Sequence, residues 1–126
     1  MPQKILVIED ESFLASLMLE ILKRENFDVD LASDAEGGLE KLKKESFDII
    51  LLDLILPGMH GFQLLEKLKR EEKTKRIPVI IISNLGSQEE IQKGLQLGAD
   101  AYLIKAHILP ADLVNKIKEI LQQKNP

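Results

Sequence analysis

The sequence predicts a doubly wound α/β sandwich, a (βα)5 chain whose five parallel strands form one sheet covered by helices. Three observations predict it. Short apolar runs rich in β-branched residues recur along the chain. Between them, apolar residues return every three or four positions, the helical period. No linker, repeat or low-complexity stretch interrupts the alternation, and 126 residues fit one domain, so a single domain over residues 1–126 is expected.

The elements come in order. The first strand is "ILVI" (5–8), and the helix after it carries a stripe of Phe13, Leu14, Leu17, Met18, Ile21 and Leu22 that needs a sheet to cover. "FDVDLA" (27–32) alternates, with Phe27, Val29 and Leu31 on one side and Asp28 and Asp30 on the other, as an edge strand with one wetter face would. A helix near 34–44 starts from Ser33 and Glu36 at capping-box spacing, although Gly37 and Gly38 weaken it. "IILL" (49–52) and "VIII" (79–82) read as strands buried on both faces, as does "AYLI" (101–104). The helix between the first two spans about 61–71. The next starts at Ser87 with Glu90 and stops at Gly98, and Pro110 opens a last helix striped by Leu113, Ile117, Ile120 and Leu121. Right-handed crossovers and an edge position for the second strand give the sheet order 2-1-3-4-5, the flavodoxin-like arrangement, in which ligands sit outside the carboxyl ends of the strands.

Composition narrows the function. Apolar residues make up 44% and charged residues 30%, values typical of a soluble globular domain. The net charge of −4 and the scattered basic residues argue against direct nucleic-acid binding. There is no cysteine, hence no disulfide, thiolate metal site or cysteine nucleophile. The opening "MPQKILVIEDE" meets acids after five apolar residues, too few for a signal peptide, and no run approaches about 18 apolar residues, so a soluble, cytoplasmic protein without membrane contact is expected. The chain closes at "LQQKNP" with no output domain; it is expected to act alone through protein partners or to be part of a longer protein.

The polar residues at the end of each apolar run are the main functional clue. Glu9 and Asp10 come after the first strand, Asp53 after the third, Ser83 and Asn84 after the fourth, and Lys105 after the fifth. Taken singly these are a solvated acidic loop, a turn former before Pro57, a loop hydroxyl and a surface lysine. Taken together they gather on one rim, because all these strands point the same way. Two carboxylates about 4 Å apart repel by about 4 kcal/mol at an effective dielectric near 20, so positive charge must reside among them. Lys105 offsets one; a hard divalent cation held by Asp10 and Asp53, with water completing an octahedron, fits magnesium better than zinc or calcium. A carboxylate beside magnesium can attack phosphorus in an in-line displacement, with Lys105 and Ser83 holding the transferred group. Asp53 is then placed to become an acyl phosphate.

The segments "LVIEDE" (6–11), "DIILLDLILPGMHG" (48–61), "IPVIIIS" (77–83) and "GADAYLIKA" (98–106) resemble, in this order and spacing, the receiver domains of bacterial two-component response regulators, including the chemotaxis regulators. The resemblance covers nearly the whole chain. It implies that Asp53 is the phosphoacceptor and that Asp10 ligates Mg2+ directly. It also implies Glu9 as a further acid of the metal site, the Ile55 backbone carbonyl as another ligand, Ser83 and Lys105 as phosphoryl contacts, and Tyr102 as the aromatic that reorients with Ser83. A histidine kinase or histidine phosphotransfer protein would donate the phosphoryl group. The response would be a shift in the face built from the fourth helix, fifth strand and fifth helix, toward an output protein the sequence does not name, and a homodimer promoted by phosphorylation is compatible with it.

Three positions depart from the family pattern. His60 replaces the acid common in its loop, and with His107 it reads as a surface residue, not a ligand. Asn84 stands where a small residue is usual, which bears on donor preference. Ala106 replaces the proline that follows the lysine in the family; a cis bond before a non-proline residue costs about 2.5–4 kcal/mol, so Lys105–Ala106 is expected to be trans, and Lys105 to approach along a different path. The resemblance also implies that the side chains two positions after the phosphoacceptor and two after the switch hydroxyl flank the path of hydrolytic water; here they are Ile55 and Leu85, which cannot orient water, so slow self-dephosphorylation is expected.

Three other classes compete. Aspartate phosphohydrolases similar to the haloacid dehalogenases carry a second acid two residues after the nucleophile, where this chain has Ile55. Nucleotide or flavin modules need a phosphate cradle after the first strand, where "EDES" presents acids. A receiver that binds partners without phosphorylation would have no need of Glu9, Asp10, Asp53, Ser83 and Lys105 together.

Overall fold

The computed structural model describes residues 2–124. Met1 and the last two residues of the closing "LQQKNP", part of the expected domain of residues 1–126, lie outside the described residues. Five parallel strands, β1 (Lys4–Ile8), β2 (Asp28–Ala32), β3 (Ile49–Leu52), β4 (Val79–Ser83) and β5 (Ala101–Ile104), form one sheet in the order β2-β1-β3-β4-β5. The helices are α1 (Ser12–Arg24), α2 (Ala35–Lys44), α3 (Gly61–Arg70), α4 (Gln88–Gln96) and α5 (Pro110–Lys124), with a short 3-10 turn at Lys105–His107. The expected fold class and strand order hold.

Side chains alternate across each strand and so build two cores. On one face Leu6, Ile8, Ile50, Leu52, Val79 and Ile81 pack with Leu42 of α2 and Leu64, Leu65 and Leu68 of α3. On the other, Ile5, Val7, Ile49, Leu51, Ile80 and Ile82 pack with Met18 and Leu22 of α1 and Leu113, Ile117, Ile120 and Leu121 of α5. Each fully buried leucine or isoleucine contributes about 1.5–3 kcal/mol, which explains why the central strands contain little else.

Three sequence expectations need correction. The α2 cap is Asp34, not Ser33: the Asp34 carboxylate accepts the Gly37 N–H at 2.7 Å and lies in extended backbone just before the first helical residue. β5 is half-buried along its length, not covered on both faces, because it forms the second edge of the sheet. The α1 stripe does not bury whole; Met18 and Leu22 enter the core, while Phe13 is 67% exposed and Leu17 also faces outward. Other boundary signals hold. Ser87 and Glu90 cap α4 reciprocally, Pro110 opens α5, and Gly98, at φ 113°, comes after the end of α4 in the left-handed region that glycine tolerates.

Candidate functional site

Strand register assembles the site. Ile8 pairs with Leu52, so the next residues along each strand, Glu9 and Asp53, emerge side by side. The Asp53 N–H still donates to Ile8 O (3.1 Å), and the Glu9 N–H to Ala32 O (2.9 Å), so ladder bonds hold both backbones. Ser83 pairs with Ile104 on β5, which delivers Lys105 to the same rim one residue later. Behind Asp53 the chain turns into α3 through Gly61, whose N–H donates to Leu54 O at 2.8 Å. A Cβ at Gly61 would lie 2.6 Å from the Asp53 carbonyl oxygen, so only glycine allows α3 to begin this close to the acid.

The result is a cleft of about 200 Å³ lined by Glu9, Asp10, Glu11, Asp53, Ile55, Ser83, Asn84, Leu85 and Lys105. Larger grooves exist, notably one between α2 and α3, but size does not mark the chemistry here. Glu9, Asp10 and Asp53 each offer a carboxylate oxygen, and these atoms lie within 4.8 Å of one another, the one such cluster among the described residues. Glu9 and Asp53 are buried, 3% and 6% exposed, while Asp10 faces solvent at the mouth. Lys105 Nζ bridges the two buried acids, 2.6 Å from Glu9 Oε1 and 2.9 Å from Asp53 Oδ2. The bond to Asp53 is a well-formed hydrogen bond; the Glu9 contact is an ion pair whose angle leaves Oε1 without an aligned donor. The Glu11 N–H donates to the other Glu9 oxygen at 3.2 Å.

Charge and burial compete in this cleft. Burial raises the Glu9 carboxyl above its ordinary range; close pairing with Lys105 opposes that, and the Asp53 charge reinforces it. Burial alone would lower Lys105, but its bonds to Glu9 and Asp53 prevail and hold it raised. Three carboxylates with one ammonium leave an excess of negative charge, and hard oxygen ligands around a half-open mouth fit a magnesium-type cation.

All the cleft residues singled out from the sequence are brought together; Ile55 turns its side chain outward at the rim. Tyr102 stands behind the cleft, on β5. Its hydroxyl donates to the Leu85 carbonyl, and the Leu85 N–H donates to Ser83 Oγ at 3.2 Å, so Tyr102 and Ser83 meet through one loop residue. Burial raises the Tyr102 phenol. The Lys105–Ala106 bond is trans, as expected, with no cis peptide among the described residues. Lys105 nevertheless reaches both acids. His60 is the half-buried N-cap of α3, a role the sequence reading did not assign it, and His107 is exposed. Sequence reasoning also missed the place of Glu11 in the cleft wall, and the exposed apolar residues Phe13, Leu17 and Leu109 near it, because periodicity assigned the first two of these inward.

An acidic, lysine-bridged cleft at the carboxyl edge of a 2-1-3-4-5 sheet defines a class of phosphate-handling signalling domains, and comparison with known proteins assigns the class. Residues 5–118 match the response regulator receiver domain, and the chain belongs to that family. It is 36% identical over 126 residues to the phosphate regulon transcriptional regulatory protein PhoB of Escherichia coli, covering all of this chain and 55% of PhoB. It is 36% identical over 121 residues to the response regulator ArlR of Staphylococcus saprophyticus, covering 96% of this chain and 53% of ArlR. The crystal structure of a CheY-like receiver domain protein from Methanospirillum hungatei superposes with a TM-score of 0.91 at 34% identity, over 98% of this chain and 97% of that one. The chain thus spans about half the length of the curated relatives it matches. Those relatives are regulators. No helix among the described residues is long and apolar enough to cross a membrane.

Proposed function

We propose that this chain, as one domain over residues 1–126, is a phosphorylation-dependent switch of a two-component phosphorelay, working in the cytoplasm. The observation that carries the reading is the trio of carboxylates within 4.8 Å of one another with Lys105 bridging the two buried ones. An Asp53 carboxylate oxygen attacks phosphorus in line; the new O–P bond forms as the bond to the donor's imidazole nitrogen breaks, and the electron pair leaves with that nitrogen. Asp10, Asp53, the Ile55 carbonyl and Glu9, directly or through water, would hold Mg2+, which when bound withdraws charge from the phosphoryl oxygens. Lys105, released from part of its pairing with Asp53, turns to the phosphoryl group, and the Ser83 hydroxyl donates to it. Because Ser83 Oγ accepts from Leu85, and Leu85 accepts from Tyr102, moving Ser83 alters the loop that Tyr102 holds, the start of the response on the face of α4, β5 and α5.

The donor is a histidine kinase or histidine phosphotransfer protein; the output partner is another protein, not nucleic acid. Incubating the chain with Mg2+ and a small phosphodonor tests the reading by intact mass. A gain of one phosphoryl group that vanishes in Asp53→Ala is the expected result. Steady release of phosphate points to a hydrolase, though Ile55 stands where such an enzyme needs its second acid. No gain leaves a phosphorylation-independent binding module. Ile55 and Leu85, apolar at the rim, exclude water, so the acyl phosphate should persist; Ile55→Asn should hasten its decay, and an unchanged decay rate would count against this role.

A further inference from the structure

His60 caps α3 in a way most N-caps do not. Its Nδ1 accepts the Phe62 N–H at 3.0 Å, while its own backbone N–H donates to Gln63 Oε1 at 3.1 Å. An accepting Nδ1 carries no proton, so the cap exists only with the neutral ring, whereas a serine or asparagine accepts at any ordinary pH. Protonation turns the acceptor into a donor aimed at another donor and sets a cation at the positive end of the helix.

A second contact widens the effect. The imidazole lies 5.2 Å, centroid to centroid, from the Phe62 ring, and that ring already faces Lys93 Nζ of α4 at 5.2 Å. A charged His60 therefore places two cations about one aromatic ring, in repulsion across the α3–α4 contact. Three acids, Asp34 and Glu36 from the α2 side and Glu66 of α3, line the groove beside Met59 and Gln63, and none forms an ion pair with the imidazole. From α4, Lys93 lies over the same Phe62 ring; Glu89 stands one turn ahead of Lys93, and Glu90 is engaged by Ser87. No ion pair reaches His60 among the described residues.

We propose that His60 is a proton-operated cap: neutral, it holds the first turn of α3 and the Phe62–Lys93 contact to α4; protonated, it releases both. The cap acts independently of the phosphoacceptor, so it is tested on the unphosphorylated, metal-free chain. Amide exchange at Phe62, corrected for intrinsic rates, is measured by NMR at about pH 7.5 and about pH 5.5. In the parent the protection of Phe62 falls roughly three- to tenfold on acidification, the loss of one cap. His60→Asn, which caps without taking up a proton, retains its protection. Amide shifts around Lys93 track the same midpoint in the parent and stay still in His60→Asn; in Phe62→Leu, which keeps the histidine cap but lacks the ring, the α3 change persists without the α4 change. Unaltered protection in the parent, or an equal loss in His60→Asn, overturns the proposal.

Discussion

At the scale of single residues, the site is a contest between burial and charge that Lys105 settles. Asp10 lies within 4.8 Å of both buried acids but forms no ion pair with the lysine. Asp10→Asn should therefore stabilise the metal-free chain by about 1 kcal/mol, the Coulomb cost of a like charge at this range in a watery mouth. It should also abolish the added stability that Mg2+ confers on the parent. Thermal melts with and without Mg2+ measure both. Lys105→Met leaves Glu9 and Asp53 without their common cation and should cost about 1–3 kcal/mol at neutral pH. The sign of its pH dependence comes from Glu9. A carboxyl raised on folding favours the folded state below the ordinary carboxylate range, and that contribution is lost as pH rises through its folded value. Without the lysine that value rises further, so Lys105→Met should regain stability relative to the parent as the solution is acidified toward about pH 5, a trend that denaturant titrations at stepped pH would reveal. With Ala106 after it in a trans bond, Lys105 reaches both buried acids.

At the scale of elements, most of the chain was legible. The central strands announce themselves because parallel strands buried on both faces admit almost nothing but Val, Ile and Leu. Each strand-end polar residue then falls on the rim by topology alone. Harder to read was anything decided by a neighbour in space. Ser33 and Asp34 are both good caps, and spacing favours Ser33; the backbone chose Asp34, one residue nearer the helix. Asp34→Ala should accordingly destabilise the fold by about 1 kcal/mol and Ser33→Ala by far less, a comparison that equilibrium unfolding of the two variants makes directly. Likewise the "AYLI" run reads as buried, yet being last in the order leaves it with one neighbour. Gly94 on α4 shows how closely that edge is packed: a Cβ there would come within 2.7 Å of Ile81 and 3.1 Å of the Tyr102 ring. Gly94→Val should push α4 off β5, costing about 1–3 kcal/mol and weakening the Tyr102–Leu85 bond, readable as a shift of the tyrosine absorption toward the solvated phenol.

At the scale of the whole molecule, several large apolar side chains are left exposed, some of them beside the acidic cleft. Phe13 and Leu109 are 67% and 66% exposed, and Leu17 and Ile55 also face solvent. A groove of about 250 Å³ between α1 and α5, lined by Leu14, Leu17, Ile21 and Leu109, shares Lys105 with the acidic cleft. On the proposed function, a protein donor would seat on this side of the cleft. The double variant Phe13→Ser with Leu109→Ser, being on the surface, should alter stability by no more than about 0.5 kcal/mol. It should slow phosphoryl transfer from a protein donor roughly tenfold or more while leaving transfer from a small phosphodonor unchanged, as parallel rate measurements with the two donors will test. This surface was the part of the molecule least visible from periodicity, since a helical stripe does not reveal which of its rows points away from the sheet.

The two oily layers, one beneath α1 and α5 and the other beneath α2 and α3, never meet. A bulky residue placed in one layer therefore presses first on the helices of its own flank, and reaches the opposite flank only through the backbone of the shared strands.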